Sequence, residues 1–328
     1  MKTSLSQLAL GGVLAASLSI SAVPLRADSA DATFDRNLTV SGPIRIDLST
    51  SSGDVQIKSA ANGAVHIHGD VRSSWSILGG GQKRAQEVAA NPPIEQKGDT
   101  IRIGKDGFHL NNLSISYVIE VPHDTEVVVN LASGSVSVTG VRGPLKAESA
   151  SGSIRIEKID RDSNVSTASG DISATDVGGF LKANTASGSI TVSNVKGDVH
   201  ANSASGSIRI NQPGARIEAQ SMSGAVEVYG ISADAKAQST SGNVNVSGDP
   251  GKSGYWKLQS VSGNVNLGVR PNSAFFFSAE STSGAVHTDI PIVIEEQGKH
   301  SLRAHVGSGG ARVEVRSVSG SISVRAAS

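Results

Sequence analysis

Ser-Gly pairs recur along this chain with a regularity that leaves few folds open. Their glycines stand at Gly134, Gly152, Gly170, Gly188, Gly206, Gly224 and Gly242, each 18 residues after the last. Longer steps then lead to Gly263, Gly284 and Gly320. Two and four residues after the glycine come aliphatic side chains separated by a polar one, as in Ile154 and Ile156, Ile190 and Val192, or Val244 and Val246. Seven and five residues before it the same alternation appears, as in Leu145 and Ala147 or Ile217 and Ala219. Period-two alternation means a strand with one buried face, so each unit holds two short strands. Three residues before the glycine lies a small hydroxyl residue: Ser149, Thr167, Thr185, Ser203, Ser221, Ser239, Ser260, Ser281 and Ser317. A second corner carries Gly143, Gly178, Gly197, Pro213 and Gly248, where glycine would admit unusual backbone angles.

A lone unit cannot fold. It buries a few large aliphatic side chains at roughly 1.5 to 3 kcal/mol each, against roughly 1 to 2 kcal/mol per residue for ordering its backbone. Stacking resolves this, because every unit then hydrogen-bonds its neighbours and extends one apolar column. The expected fold class is all-β: a parallel β-solenoid (β-helix) of 18-residue coils with two short strands per coil, about eleven coils, roughly 50 Å long at ~4.8 Å per coil. Aromatics make up only 3% of the chain and glycines number 37, which suits a narrow interior.

The beginning is less regular. Residues 1–27 read as a signal peptide, with Lys2 ahead of an apolar stretch and small residues at Ala22 and Ala27, cleavage being expected after Ala27 rather than Ala22. STSSGDVQI near Gly53 resembles a first coil, and NGAVHIHGDV a further strand pair. Helix formers from Gln82 to Ala90, stopped by Pro92 and Pro93, predict one short helical insertion near residues 82–90. Residues 28–130 are therefore expected to be an irregular solenoid part and cap, continuous in one domain with regular repeats over 131–328. The repeat stops almost mid-phrase at SGSISVRAAS, which suggests self-association through the C-terminal coil.

Three phrases together resemble the candidate-adhesin domain family of bacterial β-strand-repeat proteins. They are SYVIEVPHDTEVVVNLASGSVSV from Ser116 to Val138, the repeated ASGSI units, and HVGSGGARVEVRSVSGSISV at residues 305–324. The resemblance runs from about residue 38 to 325 and implies an exported, noncatalytic β-solenoid. It carries no catalytic motif, and therefore no functional residues, onto this chain.

Chemistry is sparse. Lys plus Arg and Asp plus Glu both total 29, which makes no case for nucleic acid or an anionic membrane. With no cysteine, disulfides are excluded. Calcium-binding rolls need a regular acidic residue at the turn, whereas only Asp54 and Asp171 follow a corner glycine directly. His66 and His68 share a strand face without an evident third ligand, so no metal is expected. The glycines at 79–81 ahead of Lys83 lack a phosphate-loop signature. Glu148, Glu280 and Glu227 are too scattered for paired-carboxylate catalysis. Tyr255 and Trp256 are candidate glycan contacts, although Trp256 and Phe277 also share the inward register and can fill a widened core.

These features point to a noncatalytic adhesin-like binding or scaffolding surface without a cofactor or mature transmembrane segment, exported to the periplasm, cell surface or medium. A glycan or an envelope protein is the expected partner. A carbohydrate-active β-helix enzyme and a self-associating filament are the alternatives.

Overall fold

The computed structural model describes residues 31–60, 63–73, 80–104 and 112–327; the expected signal peptide at residues 1–27 lies outside them. The described residues are all-β apart from one helix, Gly80–Ala90, and their strands form two facing sheets of 14 and 15 strands. Each coil contributes one strand to each sheet, on either side of its Ser-Gly corner. In the regular part the register advances one repeat per coil: Leu181 stands beside Val199, Val199 beside Ile217, and Ile217 beside Ala235. The parallel solenoid expected from the period is present.

Two columns of large aliphatic residues, represented by Ile190, Ile208 and Val226 and by Val192, Ile210 and Val228, line the inner face of the 14-stranded sheet. The middle column opposite is mostly alanine: Ala147, Ala183, Ala201, Ala219 and Ala237, all buried. Large faces small, which lets the sheets approach closely and keeps the interior narrow.

At the corner the hydroxyl column forms a buried ladder. Ser221 Oγ donates to the Gly206 carbonyl at 2.9 Å and accepts from the Gly224 N–H at 2.9 Å. Ser203 and Ser239 repeat the same pair of bonds on their own coils. One side chain thus satisfies a carbonyl of the neighbouring coil and an amide of its own. The glycine beside it is required for space. A Cβ on Gly206 would fall on the carbonyl oxygen of Gly188, and the same holds from Gly152 through Gly242.

The second corner differs from expectation in its physical cause. Its left-handed backbone position lies two to three residues before Gly143, Gly178 and Gly197, at Gly140, Lys158, Asp176, Asn194, Gln212 and Gly230, with φ between 49° and 78°. Gly143, Gly178 and Gly197 do not have left-handed angles. A Cβ there would strike the backbone of the coil before.

Chain order and spatial order part company at the ends. Following the corner glycines along the stack gives Gly53, Gly134, then every regular coil to Gly242, then Gly263, Gly320 and finally Gly284. That is eleven coils, but the last in sequence is not the last in space. Strands Ala311–Ser317 and Ile322–Ala326 lie between the coil of Tyr255–Ser260 and Val265–Val269 and that of Phe275–Ser281 and Val286–Thr288. Both edges of the C-terminal coil are paired, so self-association through them, as expected from the sequence, is not available. In the 15-stranded sheet this end is closed by an antiparallel hairpin, Val293–Gln297 with Ser301–Val306, while the 14-stranded sheet ends on the short strand Val286–Thr288.

The N-terminal end uses the same device. Strand Val55–Ala60 of the first coil has Val136–Thr139 on one side and Leu113–Pro122 on the other. NGAVHIHGDV forms one antiparallel strand, Ala64–Ser73, between Ala32–Thr39 and Leu113–Pro122, rather than a strand pair. The helix packs its buried Ala85 and Val88 toward this cap, and Arg36 donates to its final carbonyl, Ala90 O, at 3.0 Å.

Candidate functional site

A groove runs along the Ser-Gly edge over the outer face of the 15-stranded sheet. Its first stretch, about 1050 Å³, extends from Ser49 past Asn130 and Glu148 to Ala204. Its second, about 770 Å³, begins at the shared Asn184 and reaches Arg316 and Val318. The repeat builds it directly. Four residues before each corner glycine the side chain points outward, three before it points in, and two before it sits exposed at the corner.

The outward column therefore becomes an amide ladder: Asn184, Asn202, Gln220, Gln238 and Gln259, one per coil. Asn202 Nδ2 donates to Asn184 Oδ1 at 3.0 Å, and Gln238 Nε2 donates to Gln259 Oε1. Gln220 instead donates to Glu218 Oε1 at 2.7 Å, the same oxygen that accepts from Lys236 at 2.6 Å. That lysine hydrogen bond holds the Glu218 carboxyl below its ordinary range, despite the opposing effect of burial. The corner column is small and apolar in the first stretch, with Ala150, Ala168, Ala186 and Ala204, and larger in the second, where Met222, Val261 and Val318 are joined by Thr240 and Thr282. Met222 is 63% exposed.

Charge gathers at the ends of the groove. Glu148 is paired with Lys146 at 3.1 Å and Glu280 lies 3.8 Å from Arg316. The intercalated C-terminal coil places Glu148 and Glu280 eight coils apart, one more than their order in sequence suggests. Glu227 forms a pair with Arg209 at 2.6 Å.

Other singled-out residues have structural partners. Asp54 and Asp171 each accept a backbone N–H from the next corner, those of Ser135 and Ser189, both at 2.8 Å. His66 and His68 face outward and converge on Asp35, at 3.2 and 2.9 Å. The hydrogen bond to Asp35 raises the His68 pKa, and the histidines lower that of Asp35 in return. Among the described residues no group of three has metal-binding geometry.

The two candidate glycan contacts separate. Trp256 is fully buried and its Nε1 donates to Ala233 O at 2.7 Å, so it belongs to the core and is corrected as a contact. Inward register decides this, as it does for Phe277. Tyr255, one residue earlier, is 41% exposed and donates from Oη to Glu314 Oε2 at 2.9 Å. The groove itself was visible in sequence only as a generally polar face. Nothing in a strand pattern says which outward column borders a concave edge.

The model of the Toastrack DUF4097 family matches residues 49–229 and again 164–325. Among solved structures, a protein described as a candidate cell adhesion protein of Clostridium sporogenes ATCC 15579 is 10% identical, over 90% of this chain and 100% of that one, with a TM-score of 0.24. A candidate adhesin of Bacteroides fragilis NCTC 9343 is 11% identical, over 90% and 98%, with a TM-score of 0.36. Superpositions this loose allow no comparison of sites. No curated protein matches.

Proposed function

The chain belongs to the Toastrack family, and from that premise we propose that it is a noncatalytic binding or scaffolding surface of the bacterial cell envelope, holding an extended neutral polymer along its corner groove. The observation that carries this reading is the ladder of amides Asn184, Asn202, Gln220, Gln238 and Gln259 beside an apolar strip, repeating at the ~4.8 Å strand spacing. Each amide offers a donor and an acceptor, and the strip accepts the apolar face of a ring. A glycan chain presents the complementary alternation of hydroxyls and C–H faces. Export is part of the same proposal and rests on the sequence of residues 1–27.

The test is retention of the purified mature chain on an array of bacterial and host glycans that includes peptidoglycan fragments. Saturable binding to a neutral glycan is expected, lost at least tenfold in the combined variant Asn202→Ala, Gln220→Ala and Gln238→Ala. Because the middle of the groove is uncharged, raising salt from low to high should change the affinity by less than about twofold. Binding abolished by salt, or unchanged in the triple variant, overturns this reading. Release of soluble products would favour the carbohydrate-active enzyme instead.

A further inference from the structure

We propose that the C-terminal end of the 15-stranded sheet carries a second site, for a carboxylated sugar, centred on Arg312. The intercalated coil creates it. Strand Ala311–Ser317 brings Arg312 beside Tyr255 on one side and Phe276 on the other, and the antiparallel strand beyond adds His305 opposite Phe276. All four occupy outward positions, since their neighbours Trp256, Val313, Phe277 and Ala304 are buried. Tyr255 and Phe276 are 41% and 47% exposed.

On the antiparallel strand beyond, His305 and Arg303 both have carboxylate partners, whereas Arg312 has none among the described residues. His305 bonds Glu295 at 3.1 Å, Arg303 pairs with Glu296 at 2.9 Å, and Glu314 accepts from Tyr255. Among the described residues the Arg312 guanidinium makes no hydrogen bond or ion pair, while its backbone N–H donates to the Gly254 carbonyl at 2.9 Å. An exposed guanidinium held between two aromatic positions is suited to a bidentate carboxylate. A hollow of about 430 Å³ opens beside it, lined by Phe276, Ser278, Glu295, Arg303, Arg312 and Glu314, a volume within the range of small-ligand sites.

The arrangement selects sugar over other anions. Tyr255 and Phe276 are two strand spacings apart, about 9.6 Å, close to the two-residue repeat of a pyranose chain, so alternate rings can lay a C–H face on the two aromatic positions with the ring between them over Arg312. Glu314, Glu295 and Ser278 are acceptors for ring hydroxyls. An acidic peptide would instead seek a sheet edge, and this site lies on a sheet face. The proposal rests on the reading of the chain as a noncatalytic binding surface, but it does not require the groove to bind.

Isothermal titration of the full chain with tetrasaccharides of galacturonate, mannuronate and hyaluronan tests it. At least one should bind, with full methyl esterification of the galacturonate probe or Arg312→Gln weakening it at least tenfold. Tyr255→Ala and Phe276→Ala should each cost several-fold, and groove variants should leave it unchanged. Arg312 is exposed, so an unaltered melting temperature is expected to accompany the loss. Failure of all three probes, or undiminished binding by Arg312→Gln, overturns the site. Equal affinity for poly-glutamate also overturns it, in favour of an acidic peptide. A chain that retains neutral glycans while ignoring these probes loses this site and keeps the groove; the converse loses only the groove.

Discussion

The coils from Gly134 to Gly242 and the three that follow Pro250 are cut from one unit, yet they use it differently. In the first region neighbours in sequence are neighbours in space, the middle interior column is mostly alanine, and the outer face is polar. In the second the final coil is slipped between the two before it, Trp256 and Phe277 fill the interior, and Tyr255 and Phe276 face out. The difference teaches that a repeated edge does not know its own chain order. Any coil can stack on any other, so the first and last coils can be drawn inward and the outermost places left mostly to antiparallel strands, which blunt the edges against further stacking.

The largest expected effect comes from removing the intercalated coil. A chain ending after Val306 loses the only parallel partner of Phe275–Ser281 and one partner of Tyr255–Ser260. Limited proteolysis should then cut within residues 250–306 while the region from Gly134 to Gly242 stays resistant. A uniformly resistant product would mean that the preceding coils close the gap and that the slipped order is dispensable.

Trp256→Ala ranks next, at about 3 to 5 kcal/mol, because a fully buried indole leaves a cavity and an unsatisfied Ala233 carbonyl. Thermal or denaturant unfolding measures it. Its register neighbour Ala235 shows that the fold accepts alanine in this column, so a cost below 1 kcal/mol would mean the sheets simply close in.

Ser221→Ala and Ser317→Ala sharpen the comparison at the corner. Ser221 bonds Gly206, 15 residues away, at 2.9 Å and Ser317 bonds Gly263, 54 residues away, at 3.2 Å, and each accepts its own coil's glycine N–H at 2.9 Å. Each substitution should cost about 1 to 2 kcal/mol for the stranded amide and carbonyl. A large inequality would show that the ladder senses chain order after all.

The smallest effect lies in the N-terminal cap. His68 has a raised pKa, so its contribution is present below the ordinary histidine range and is lost as pH rises through the folded value. Asp35 has a lowered pKa, so its contribution is lost as pH falls through that value. The Asp35–His68 pair therefore tightens strand Ala32–Thr39 only between the two. Amide exchange of that strand, corrected for intrinsic rates, should quicken modestly above the histidine range, and His68→Gln should remove the effect; a flat profile in the parent chain would refute it.

Much of the fold was legible because an 18-residue period combined with alternation specifies face, corner and neighbour together. Ser203 and Ser221 announced a ladder by position alone, and the inward register of Trp256 and Phe277 pointed to the core, although the sequence still set Trp256 beside Tyr255 as a glycan contact. The site was less legible. Arg312, Tyr255 and Phe276 lie on three strands that no local pattern associates, and the groove depends on how the corner curves.

The sequence by itself determined the coil, its two buried faces, the glycine and hydroxyl columns of the corner and the number of coils, since each follows from side-chain period and size within one repeat. Only the tertiary structure decided the order in which the last coils stack, the closure of both ends, and the row that sets Arg312 between two aromatic rings. Interchangeable edges leave that order undetermined locally. It is settled by which arrangement buries Trp256 and Phe277 and pairs both edges of the final coil at once.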